Sequence, residues 1–186
     1  GPVAVRGFCA IALGLAVRGV TPDRPEVAEF ANAARALLRQ AIGERVGDDR
    51  LRGAYAVALG LAREREAVPA LLAEVSDRGA DPELRGHAAV ALAQIGDRRP
   101  EVLRALFGAL AERRDAELRR QAALALALVG GHLATAQLLQ EMRTGDTEQL
   151  LAQVVIALGR LGDVQAVAPL LECAGDAKRS EVAQAL

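Results

Sequence analysis

Few side chains in this chain of 186 residues could do chemistry: two histidines, two cysteines and a set of recurring arginines. Neither His87 nor His132 is followed by a carboxylate, because Ala88 and Leu133 come next. A non-haem iron site needs at least two histidines and a carboxylate that face one cavity. We therefore predict no catalytic, cofactor or metal site, and we interpret both histidines as solvent-exposed helix residues.

The two cysteines, Cys9 and Cys173, lie near opposite ends of the chain. Cys9 occupies a position that is apolar in the repeats described below, which predicts a small core residue rather than a nucleophile. Cys173 is expected near the end of a helix, partly exposed and without a histidine to activate it. We predict two free thiols and no disulfide, which fits a reducing, cytoplasmic location.

An arginine recurs at the same place in four copies of one sequence pattern, and two interpretations are possible. The series could bind anions as a ladder, or each arginine could pair with an aspartate four residues earlier on its own helix. We favour pairing, because Leu151 replaces the arginine in the last copy. The arginines are Arg6, Arg52, Arg85 and Arg119, and the paired aspartates would be Asp48, Asp81 and Asp115.

The elements that must position these residues are short helical repeats. The stretch LRGAYAVALGLA begins at residue 51, and similar stretches begin at residues 84, 118 and 150, at spacings of 33, 34 and 32 residues. Another copy, VRGFCAIALGLA, begins at Val5. A period of this size is typical of a helical solenoid, in which each unit buries its apolar face only against its neighbours.

Each copy predicts one helix of a two-helix unit. Counting the opening Leu or Val as position 0, apolar residues fall at positions 0, 4, 7, 8 and 11, which is one face of a helix. Positions 5 and 6 are apolar as well, so we expect this first helix to be buried between neighbours. Asp48, Asp81, Asp115 and Thr147 are the expected N-caps, and Gly96, Gly130 and Gly162 the expected closing residues.

The second helix of each unit carries a single apolar stripe, which predicts a surface helix. The first unit is about a dozen residues longer than the others, with an opening from Thr21 to Pro25 and a long helix to about Ile42. We divide the chain into a probable tag remnant at 1–2 and one repeat domain at 3–186. Its repeats begin at about 3, 49, 82, 116 and 148, and a truncated repeat from about 176 is expected to fray or to bury itself against a second copy.

These repeats resemble the bacterial HEAT-like repeats of phycobilin lyase subunits. The resemblance is carried by an opening Leu-Arg, two small residues, Ala-Leu-Gly and a final Gly-Asp. The best matches run from Leu84 to Asp97 and from Ala157 to Asp163. The resemblance implies an all-α fold of paired antiparallel helices, stacked as a right-handed α-α superhelix of about five helical hairpins and a truncated one. It implies little about function.

In that family the second helices line the concave face, where many members hold a protein partner. The resemblance therefore implies a partner-binding surface on the second helices. The residues it would offer are Glu66, Ala70, Glu74, Arg104, Gly108, Glu112, Gln137, Gln140, Glu141, Gln165, Pro169 and Glu172. No aromatic anchor is among them, so no hot spot can be named.

Composition narrows the function classes. The chain has 23 Lys and Arg against 24 Asp and Glu, a net charge of −1, and an aromatic content of 2%. Such a balance provides no field to attract nucleic acid or an anionic membrane. We expect a non-catalytic scaffold for an unknown protein partner; an enzyme or enzyme subunit of the phycobilin lyase type is the alternative, and nucleic-acid binding is less favoured.

Overall fold

The computed structural model describes residues 3–18, 20 and 25–175, and in this part of the chain every regular element is helical. A 3₁₀ turn, Arg65–Ala67, precedes α4. The expected truncated repeat from about 176, the opening at Thr21 and the remnant at 1–2 lie outside the described residues. The helices are α1 Val3–Val17, α2 Pro25–Gly43, α3 Asp49–Leu61, α4 Val68–Ser76, α5 Pro82–Ile95, α6 Pro100–Leu110, α7 Ala116–Val129, α8 His132–Thr144, α9 Glu148–Leu161 and α10 Val164–Gly175.

The predicted N-caps are confirmed. Asp48 accepts a hydrogen bond from the backbone N–H of Leu51 at 2.9 Å, and Asp115 accepts one from that of Leu118 at 2.8 Å. Asp81 and Thr147 cap α5 and α9 in the same way. Each bond satisfies one of the amide groups that the first turn of a helix leaves without a partner.

The predicted glycine closures are confirmed at two of three helices. Gly96 and Gly162 adopt the left-handed conformation, with φ of 79° and 62°. A side chain is unfavourable there, which explains glycine at these positions. Gly130 has φ 38° with ψ −178°, which is not a left-handed closure, and the next helix starts almost immediately at His132.

The odd-numbered helices, which we call the first-helix layer, pack on one another in chain order from α1 to α9. Small residues let them approach closely. An added Cβ at Gly14 would lie 2.4 Å from the carbonyl oxygen of Ala58, and one at Gly60 would lie 2.7 Å from the Cα of Ala91. This layer is therefore packed backbone against backbone.

The even-numbered helices form the second-helix layer, and neighbours within it make only sparse backbone contacts. The first helices therefore lie closer to one another than the second helices do. The expectation that the second helices line the concave face of the stack remains a prediction.

The sequence predicted that the first helices are buried all round, and this prediction is wrong. Position 5 is fully buried, with Ala10, Ala56, Ala89, Ala123 and Val155 at 0–3% exposure. Position 6 faces the solvent side of the layer instead. Its five residues, which we call the apolar floor, are half-buried or exposed: Ile11, Val57, Val90, Leu124 and Ile156.

The second helices pack with one stripe, as predicted. In α6 the buried side is made by Val102, Leu106, Ala109 and Leu110. The long helix of the first unit is also present: α2 has 19 residues and buries Leu38 and Ile42. Among the described residues, no helix combines the length and the apolarity needed to cross a bilayer.

Candidate interaction surface

Three of the four recurring arginines are buried and Arg6 is exposed, so the prediction of exposed pairs with the capping aspartates is wrong for Arg52, Arg85 and Arg119. Arg52, Arg85 and Arg119 are 6%, 7% and 1% exposed. Arg52 contacts Asp49 at 3.2 Å and Glu74 at 2.8 Å. Each of these side chains points inwards to a second helix: Arg52 reaches α4 of its own unit, Arg85 reaches α4 of the preceding unit, and Arg119 reaches both α6 and α8.

Arg119 makes the fullest set of bonds. Its guanidinium donates to Glu141 at 2.8 Å, to Asp146 at 2.6 Å and to the carbonyl oxygen of Leu110 at 3.1 Å. Burial lowers the pKa of the Arg119 guanidinium, but the bonds to Glu141 and Asp146 outweigh burial and raise that pKa above its ordinary value. These bonds tie α7 to the second helix α8.

The carboxylates Glu74 and Glu141 each follow their arginine by 22 residues. The residue 22 positions after Arg85 is Phe107, which has no charge. Arg85 makes no ion pair with a described residue. Its Nε donates a hydrogen bond to the carbonyl oxygen of Val75 at 3.1 Å. From Leu151 the same spacing reaches Cys173, so that unit has apolar residues at both positions. The arginine series therefore has a structural use as a tie between layers.

Both cysteines differ from expectation, although both are free. Cys173 is 5% exposed rather than partly exposed, because its partner position holds Leu151 and not an arginine. Cys9 is exposed rather than in the core. It lines a cavity together with Leu37 and Leu38 of α2 and Tyr55 of α3.

The histidines have different surroundings. His132 is exposed, as predicted, and its Nδ1 lies 2.8 Å from Asp163 Oδ2. A backbone N–H from Gln165, together with His132, lowers the pKa of Asp163. His87 is half-buried, not exposed, because it folds over Gly53, where an added Cβ would lie 2.9 Å from its Nδ1. The described residues contain no group of three metal-ligating side chains.

The surface predicted on the second helices is only partly available. Glu74 and Glu141 are 2% and 4% exposed and neutralise buried arginines, so they cannot be offered to a partner. Glu66 is exposed and pairs with Arg39. The half-buried members are Ala70, Glu112, Gln137 and Pro169, and the other exposed ones are Arg104, Gly108, Gln140, Gln165 and Glu172.

The first-helix layer presents an apolar surface that the sequence interpretation missed. Beside the apolar floor, Phe8, Leu15 and Leu128 are 73%, 52% and 38% exposed. The signal was present in the sequence, because position 6 is a large aliphatic residue in every copy although it lies off the core face. It was interpreted as evidence of burial.

A cavity of about 210 Å³ opens on this surface between α1, α3 and α5. Its wall is mainly apolar, and Arg50, Glu83 and His87 stand at one end. Gly7 lies in this cavity, where an added Cβ would stand 3.3 Å from the Cβ of Ala54 on the next helix. Its apolar wall is formed by Phe8, Ile11, Leu51, Ala54 and Val57.

The two edges of this surface carry opposite charge. Asp49, Arg50, Asp81 and Glu83 line a cavity of about 250 Å³ at the N-terminal ends of α3 and α5, and Glu117 continues this acidic rim on α7. At the C-terminal ends, Arg18 and Arg63 line a cavity of about 420 Å³, and exposed Arg160 continues this basic rim on α9. Acids at helix N-termini and bases at C-termini also stabilise the helix dipoles.

Comparison with known proteins identifies the family to which the repeats belong. No curated protein matches the chain. Among solved structures, human deoxyhypusine hydroxylase in complex with glycerol is similar at 19% identity, over 100% of this chain and 96% of its own, with a TM-score of 0.30. A likeness this distant carries no argument about activity. A sequence model described as HEAT repeats matches residues 35–127, 72–154 and 109–186. Together with the stacked helical units, these matches show that the chain belongs to the HEAT repeat family.

Proposed function

We propose that this protein is a non-catalytic scaffold that binds a protein partner on its first-helix layer. The observation that carries the proposal is the apolar floor, which repeats in all five units and is left uncovered by the described residues. Exposed apolar side chains that form a continuous patch mark interaction surfaces in soluble proteins. Phe8 adds an exposed aromatic side chain to this surface, and Phe30 on α2 is the exposed aromatic side chain of the other layer.

The charged groups support a scaffold rather than an enzyme. Glu74 and Glu141 each form an ion pair with a buried arginine, and these ion pairs hold the two layers together. The acidic rim, with Glu83 and Glu117, would repel the phosphates of a nucleic acid that lay across the surface. No feature of the described residues favours a bilin as ligand.

Site-specific crosslinking in the source cells would test the proposal and distinguish the two surfaces. A photoreactive residue is placed at Leu128 on the first-helix layer or at Gln140 on the second-helix layer; both side chains are exposed. We expect one defined protein adduct from position 128 and none from position 140. The adduct's protein is then purified and its affinity measured.

The affinity measurement decides the outcome. Leu128→Glu should weaken binding of that purified protein at least about tenfold, because it places a charge in an apolar contact. Gln140→Glu is the matched control and should leave the affinity unchanged. Adducts from position 140 alone would move the site to the second helices. If neither position gives an adduct with such an affinity loss, the scaffold proposal is wrong.

A further inference from the structure

The partner's chemistry can be inferred from the same surface, and this step rests on the proposed function. We infer that the partner presents an amphipathic α-helix that lies along the apolar floor, with basic side chains on one flank and acidic side chains on the other. Three observations support this inference: the composition of the floor, the cavity between α1, α3 and α5, and the opposite charges of the two rims.

The floor favours a helix over an extended peptide. An extended segment needs hydrogen-bond partners for its backbone, whereas a helix satisfies its own backbone groups. The floor itself consists of aliphatic side chains, from Ile11 on α1 to Ile156 on α9, with Gln94 and Gln121 beside it, packed over Gly60 and Gly86. Where an extended segment lay on the aliphatic floor, its backbone would lose hydrogen bonds on docking.

The cavity provides a place for an anchor. Its volume of about 210 Å³ is mostly enclosed by apolar side chains, including Phe8 and Val57. A large aliphatic or aromatic side chain on the partner helix would remove this apolar wall from water. Buried anchors of this kind, set in a pocket, dominate interface energies. His87, Glu83 and Arg50 at the open end leave room for a polar tip, which favours tyrosine among the aromatic residues.

The rims specify the flanks of the helix. Asp81 and Glu83 would contact basic side chains, whereas Glu117 is already paired with Arg120 on its own helix; Arg18 and Arg63 would contact acidic side chains. Arg18, Arg63 and Arg160 make no ion pair with any described residue, so the basic rim is not neutralised within this part of the fold. A helix that is basic on both flanks, or acidic on both, would meet one rim of its own sign.

The length follows from the stacking. Five first helices at about 9 Å spacing make a floor of about 36 Å, and a helix rises about 1.5 Å per residue, which gives about 24 residues. A synthetic helix of that length, with leucines and one tyrosine on its apolar face, lysines on one flank and glutamates on the other, is therefore the probe. Reversing such a helix exchanges its flanks, so only one direction of the probe matches the two rims.

The test compares this probe with three others by fluorescence anisotropy at low ionic strength. Two have the same apolar face with either lysine or glutamate on both flanks, and the third has two central prolines that break the helix. We expect the two-charged helix to bind at least about tenfold more tightly than each of the others, a difference of about 1.4 kcal/mol. The preference over the single-charge helices should shrink in high salt.

Protein variants locate the site. Phe8→Ser with Leu128→Ser should weaken binding of the two-charged helix at least about tenfold, because hot-spot truncations cost more than about 1 kcal/mol each. Leu133→Ser with Val167→Ser is the matched control: both residues are exposed and apolar but lie on the second helices.

The outcomes separate the two proposals. Equal binding of all four probes, no binding at all, or an equal loss in both double variants would overturn the amphipathic-helix inference. The crosslinking result from Leu128 is independent of the probes. An adduct there, combined with failure of the probes, would keep the scaffold and reject this partner chemistry. Absence of adducts from both position 128 and position 140 would reject the scaffold itself.

Discussion

The two helical layers are held together by different means. In the first-helix layer, glycine and alanine bring backbones into direct contact, as at Gly14 and Ala58, so neighbouring units are fixed by close packing. In the second-helix layer, neighbours make few backbone contacts, and α4 and α8 are each tied to their own first helix by a buried arginine. The comparison shows that close packing among the first helices fixes the stack, whereas the second helices from α2 to α8 pack mainly on the next first helix, and α4 and α8 are also tied to their own.

The largest expected effect comes from cutting a tie. Arg119→Leu should lower the free energy of unfolding by about 3–5 kcal/mol, because Glu141 would be left as an unpaired buried charge. Arg85→Leu is the matched control and should cost no more than about 1 kcal/mol, since it removes one hydrogen bond and leaves no charge unpaired. Urea titration followed by circular dichroism would measure both; equal losses would contradict the tie.

Close packing in the first layer gives the next effect. Gly14→Ala should destabilise by about 1–3 kcal/mol, because its Cβ would overlap the backbone of Ala58. Gly108→Ala, in the middle of the second helix α6, meets nothing within 4 Å and should stabilise by about 0.5–1 kcal/mol through helix propensity. Thermal unfolding of the two variants should give shifts of opposite sign. Shifts of the same sign would show that the layers do not differ in this way.

A tie can also be transplanted into the unit that lacks one. Phe107→Glu places a carboxylate 22 residues after Arg85, the spacing found for Arg119 and Glu141. In that background Arg85→Leu should cost at least about 1 kcal/mol more than it does in the unaltered chain, as measured by a double-mutant cycle. A coupling free energy near zero would mean that the spacing alone does not create a tie.

The smallest effect is a pH dependence at the exposed end of the Arg119 network. A hydrogen bond from Arg119 lowers the pKa of Asp146 below its ordinary value. A carboxyl whose pKa is lower in the folded state stabilises fully above its unfolded pKa of about 4, and that stability is lost as the pH falls through the folded pKa. The urea midpoint should therefore fall more steeply below pH 4 in the unaltered chain than in Asp146→Asn. Parallel profiles would show that this bond does not contribute.

Prediction from sequence worked where the cause is local. The helix starts at Asp48 and Asp115 follow from side-chain oxygens that reach an amide three residues away. The left-handed closures at Gly96 and Gly162 follow from the freedom of glycine. Other expectations remain predictions: the absence of a metal site, the absence of a catalytic site, the cytoplasmic location, and the self-association of the truncated repeat.

Prediction failed where a second element decides. Arg52 and Arg119 have aspartates four residues earlier, yet each bonds a glutamate 22 residues later on another helix. Cys9 is exposed and Cys173 is buried, the reverse of the prediction. The reason is similar, because burial depends on which helix covers a face. An apolar floor and a buried face look alike in sequence, since both are rows of aliphatic residues.

The sequence alone determined the repeat, its period and the ends of its helices, because these depend on residues within one turn or one face of a helix. Only the tertiary structure decided which side of the first helices is uncovered, where Arg52 and Arg119 find a carboxylate, and which layer is the more closely packed. Those outcomes depend on distances between backbones of different units. The glycine and alanine residues that set these distances do not indicate, in the sequence, which helix will pack against them.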